Sequence, residues 1–100
     1  MDKGKAIELV SKYRKAVIEI FPDAITYLFG SHAKGCQKED SDIDVAIVLP
    51  KLSQNYLLDD APRLWRICAD INPDIEPVML ELNEDTPLYN EVMKHGILIK

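Results

Sequence analysis

Apolar residues recur along this chain with two different periods. Ile7, Val10, Tyr13, Val17 and Ile20 return at three- and four-residue steps, which predicts an amphipathic helix from about Lys3 to Phe21. Pro22-Asp23 ends it. "AITYLF" (24–29) is rich in β-branched and aromatic residues and predicts a first strand, and "DIDVAIVL" (42–49) a second. Leu57, Leu58, Ala61, Leu64, Trp65, Cys68 and Ile71 resume helical spacing and read as core, with Pro62 either kinking that helix or starting its main segment. "DIEPVMLEL" (74–82) predicts a third strand, and Pro77 inside it argues for an edge or bulge position. Thr86-Pro87 reads as an N-cap followed by a first-turn proline. Gly96 would end that last helix as a left-handed residue, and "ILIK" adds a short final strand. The alternation predicts an α/β (α+β) domain, a small mixed sheet with flanking helices, and one domain over residues 1–100.

Composition narrows the classes. The chain is 47% apolar and 29% charged, which suits a modest core under a soluble surface. Nothing reads as a signal peptide, and no apolar run approaches the roughly 20 residues of a membrane span. Cys36 and Cys68 lack CxxC spacing, so a reducing cytoplasm is the expected location. A formal net charge of −5 argues against non-specific grip on a nucleic-acid backbone. Lys3, Lys5, Lys12, Arg14 and Lys15 read as the solvated face of the first helix.

The second strand poses the chemical question, because it opens on two acids and then runs apolar. Side chains alternate along a strand, so Asp42 and Asp44 share a face with Ala46 and Val48, and Asp74 and Glu76 share one with Val78 and Leu80. If the two strands are neighbours, their starting ends gather three or four carboxylates that repel unless protons or cations intervene. Such hard oxygen ligands suit Mg²⁺ or Mn²⁺ held jointly with substrate phosphates. Gly30-Ser31, at the end of the first strand, complements them. The glycine permits close backbone approach to a ligand, "SHAKG" is about one helical turn, Ser31 can cap it or bind phosphate, and Lys34 can add charge. Phosphate on one limb and metal on the other is what in-line nucleotidyl transfer requires. His32 and Cys36, four residues apart, lack the two further ligands that a metal site would need.

Gly30-Ser31, ten residues, then Asp42-Ile43-Asp44 resembles the GSx10DxD signature of the DNA polymerase β-type nucleotidyltransferase superfamily. "GSHAKG" followed by "SDIDVAIVL" is similar to its minimal members, the MNT or MntA-like proteins, and the resemblance covers nearly the whole chain. It implies a mixed sheet that carries the acids and is backed by helices, and transfer of a nucleoside monophosphate from a triphosphate with two divalent ions. It also implies a helical HEPN-type partner, often in a toxin–antitoxin pair whose antitoxin attaches AMP to a tyrosine of the toxin. On this resemblance Asp42 and Asp44 are metal ligands, Gly30 and Ser31 bind the triphosphate, and Glu76 fits the place of the third carboxylate better than Asp74. Two positions depart from the pattern. The third acid is Glu followed by Pro77 where Asp is usual, and His32 stands where relatives frequently have Arg.

The expected function is therefore Mg²⁺-dependent transfer of AMP from ATP to a HEPN-type partner. The alternatives are a weak or inactive module that neutralises a helical toxin by binding it, and a nucleotide-binding regulatory domain without such a partner. The acceptor, the nucleotide and the choice between homo- and hetero-oligomer stay open.

Overall fold

A computed structural model describes residues 2–36 and 41–100. The first helix, α1 (Lys3–Ile20), buries Val10, Tyr13 and Val17 of the predicted stripe completely and Ala6 beside them, while the stripe's end members Ile7 and Ile20 are half-buried. Asp2 caps it by accepting the Lys5 N–H at 2.7 Å. The chain then runs through β1 (Ile25–Phe29), the short α2 (Ser31–Lys34), β2 (Ile43–Leu49), α3 (Tyr56–Asp59), α4 (Ala61–Ile71), β3 (Ile75–Glu81), α5 (Pro87–His95) and β4 (Ile97–Ile99).

Among the described residues the strands form one mixed sheet in the order β3-β2-β1-β4. β1 lies antiparallel to β2 and to β4, while β2 and β3 are parallel and joined across α3 and α4. One face packs on α1 and α4 through Leu28, Val45, Ile47 and Ile75. On the other face Ala46, Val48 and Leu80 meet Tyr89 and Val92 of α5. The Tyr13 hydroxyl donates to the Leu64 carbonyl at 3.2 Å and ties α1 to α4; burial holds that phenol well above its ordinary range.

Pro77 sits on an edge strand, as expected. The Ile43 N–H bonds the Asp74 carbonyl and the Leu82 N–H bonds the Leu49 carbonyl, which sets the phase of the ladder. Even-numbered residues of β3 turn their backbone toward β2 and odd-numbered ones turn outward, so the missing N–H of Pro77 costs no ladder bond. The rest of the outward row is largely covered. The Ile75 N–H bonds the Asn72 carbonyl, and the Glu81 N–H bonds Glu84 Oε1 at 2.6 Å.

Two local expectations need correction, and two alternatives are decided. Of the two readings of Pro62 the structure bears out the second, since Pro62 stands at the start of α4 after a separate one-turn α3. Trp65 is 46% exposed and Leu57 68%, because α3 and the near side of α4 overhang the open edge of β3 instead of facing a further layer. Gly96 is extended (φ −70°, ψ 154°), not left-handed; it is needed because a side chain there would strike the Val92 carbonyl. Ser31 does not cap α2, since Gly30 occupies the cap position.

Candidate active site

The parallel register places Asp44 directly beside Glu76. Neighbouring strands run about 4.8 Å apart, so these two side chains leave the same face at close range. Asp42, one residue ahead of β2, is on that face by alternation. The charges act on one another accordingly. Partial burial, then the charge of Asp42, raise the Asp44 carboxyl above its usual range, with His32 pulling the other way. Glu76 is raised chiefly by hydrogen bonding toward the Asp42 carboxyl, then by burial, and further by the charges of Asp42 and Asp44.

Asp74 has a different task. Asn72 Oδ1 accepts its N–H at 2.8 Å and its carbonyl accepts the Ile43 N–H, so it shapes the turn into β3. It is not among the charges acting on Asp44 or Glu76.

The glycine limb meets the acid limb through β1. Phe29 is registered opposite Asp44, which brings Gly30 next to that carboxylate. Gly30 has φ +73° and ψ −151°, a conformation that side chains oppose, and a Cβ there would collide with Asp44. The close approach that calls for glycine is thus to Asp44, within the protein. Ser31 follows as the first residue of α2, and its carbonyl accepts the N–H groups of Gly35 and Cys36. Gly35 is left-handed (φ +76°) and turns the chain back.

Lys34 is not aimed at the acids. Its ammonium lies 2.6 Å from the Glu91 carboxylate of α5, and this contact raises Lys34 and lowers Glu91. Nothing near Lys34 in the sequence signals Glu91, which is reached only when α5 folds back over the sheet. His32 is 2% exposed. Its Nε2 is 3.3 Å from the Ser41 carbonyl, and its buried Nδ1 meets no donor among the described residues. Cys36 is exposed beyond the end of α2, so His32 and Cys36 do not act as a ligand pair.

Among the described residues no three His, Cys, Asp or Glu side chains form a ready metal cage. The donor set nonetheless fits a divalent ion. Its members are hard oxygens: Asp44 is raised first by burial and Glu76 first by its contact with Asp42, and in both the neighbouring carboxylate charge, which a cation would offset, adds to the shift. Mg²⁺ sites of this kind use one or two carboxylates and leave the remaining positions to phosphate and water.

The family described as "Polymerase beta, Nucleotidyltransferase" matches residues 9–100. The chain belongs to this family. It is 28% identical over 96 residues to a Methanocaldococcus jannaschii protein assigned as a protein adenylyltransferase, a match covering 91% of this chain and 95% of that protein. In structure it is similar to a Sulfolobus solfataricus protein assigned as a nucleotidyltransferase, with a TM-score of 0.73 and 23% identity, over 96% of this chain and 80% of the other. It is also similar to a chain from the complex of tri-AMPylated Shewanella oneidensis HEPN toxin with its MNT antitoxin. There the TM-score is 0.59 with 20% identity, over 98% of this chain and 71% of the other. The mixed sheet with flanking helices is the nucleotidyltransferase fold.

Proposed function

We propose that this nucleotidyltransferase moves AMP from ATP to a hydroxyl of a helical HEPN-type partner protein, with Asp42, Asp44 and Glu76 as metal ligands and Gly30 and Ser31 at the triphosphate. The observation that carries the reading is the registered pair Asp44–Glu76, with Asp42 on the same face and Gly30 against Asp44. The names of the M. jannaschii relative and of the S. oneidensis complex support AMP as the group moved and a HEPN protein as acceptor. The exposed Leu57, Leu58 and Trp65 supply an apolar surface suited to a protein partner.

In this reading the carboxylates hold Mg²⁺ or Mn²⁺. When bound, such ions neutralise charge on the triphosphate and on the attacking and leaving oxygens. Gly30 keeps the backbone out of the way and fixes the Asp44 carboxylate, while Ser31 offers its hydroxyl and amide to phosphate oxygens. Glu76 holds its proton more firmly than a free glutamate, so activity should rise with pH across that raised carboxyl range. Lys34 reaches the phosphates only by leaving Glu91.

The test is transfer of label from α-³²P-ATP to a HEPN protein encoded beside this chain, with Mg²⁺ and with EDTA. Metal-dependent labelling that Asp44→Asn abolishes is the expected result. A tight complex without labelling would instead select the second reading, a module that neutralises a helical toxin by binding.

A further inference from the structure

Ser31 and Asp42 belong to the two limbs of the site, and the residues adjoining them, His32 and Ser41, are joined to each other. A carbonyl oxygen can only accept, so His32 Nε2 carries the proton and donates it to Ser41. We infer that His32 is a positioning residue whose buried Nε2–H, bonded to the Ser41 carbonyl, holds the glycine–serine limb and the aspartate limb at a fixed separation. This inference rests on the nucleotidyltransferase reading of the site.

Three observations support it. The ring is 2% exposed, on a helix of four residues that has little rigidity of its own. The bond spans nine positions in sequence and ends one residue short of Asp42. Buried ring nitrogens are ordinarily satisfied, yet Nδ1 meets no donor among the described residues, so packing for volume alone would be served better by Phe or Leu. A polar ring is kept here for what Nε2 does. The amide nitrogen of Gln falls close to the place of Nε2, whereas Phe fills the space with no donor and Asn stops short.

The experiment compares wild type, His32→Phe and His32→Gln in the intact chain by label transfer from α-³²P-ATP and by amide hydrogen exchange. In His32→Phe, kcat should fall about tenfold or more with the fold retained, because misplaced limbs cost turnover more than affinity. Exchange at residues 31–36 and 42–44 should quicken about 2- to 10-fold, the equivalent of one hydrogen bond, while the amides of α1 keep their protection. His32→Gln should restore both readouts. Should the Phe variant fail to fold, His32→Asn takes its place. Wild-type turnover and exchange in a folded Phe or Asn variant would overturn the inference, as would a Gln variant no better than Phe. If the wild type itself transfers no label to any acceptor, the functional reading fails, and exchange alone decides the role of His32. Faster exchange confined to the two limbs sustains it, and unchanged exchange refutes it.

Discussion

Asp44 is the side chain on which most of the site converges. Glu76 stands beside it, Asp42 repels it, and Gly30 abuts it. Its folded form holds a proton more firmly than its unfolded form. The stability it contributes is therefore complete below the ordinary carboxyl range and is lost as pH rises through the raised value. Asp44→Asn should accordingly stabilise the metal-free protein at neutral pH by about 0.2–1 kcal/mol, the scale of exposed charge pairs, and leave it unchanged in acid. Thermal melts at pH 7 and pH 3 test both halves. Glu76→Gln should abolish transfer and Asp74→Asn should leave most of it, since Asp74 works through its backbone. Gly30→Ala should cost about 1–3 kcal/mol from backbone strain alone. Its additional cost from the collision with the Asp44 carboxylate should largely disappear in an Asp44→Ala background, where only the Cβ contact remains, as a double-mutant cycle in urea would show. The acids and the glycine–serine pair were legible because their chemistry is written at fixed local spacing. Glu91 and the burial of His32 were not, since each depends on contacts made only after the chain has folded back.

At the scale of elements, periodicity located α1, β-branched and aromatic runs located β1, β2 and β3, and the Thr86-Pro87 cap with Gly96 located α5. Periodicity could not say what lies above an apolar face. The apolar stripe of 57–71 looked like core throughout, yet its outer members overhang an edge where no further layer follows. Proline was the better guide. Pro77 located an edge, and the hydrogen bonds to Ile75 and Glu81 show that this edge is closed to strand addition along most of its length. Pro77→Val should cost at most about 1 kcal/mol in stability, mainly by loosening the unfolded chain. It should also add an outward N–H beside Met79 and promote self-association. Sedimentation velocity across a concentration series distinguishes this from a proline held only for packing, which would leave the variant monodisperse and destabilised.

At the scale of the molecule, a net charge of −5 surrounds a sheet end already crowded with carboxylates. The Lys34–Glu91 ion pair gives this balance a kinetic meaning. With that ammonium engaged by Glu91, bare ATP, itself several times negative, meets a repulsive entrance. ATP that arrives already complexed with its cation does not. Glu91→Gln should release Lys34 and tighten the binding of metal-free ATP several-fold, with a much smaller change for Mg·ATP, as calorimetry in EDTA and in excess Mg²⁺ would show. Should metal-free affinity stay the same in the variant, the pair is only a surface contact. A tighter metal-free complex in the variant would make Glu91, on the proposed reading, an admission filter that sorts two forms of one nucleotide by net charge, before base or sugar has been read.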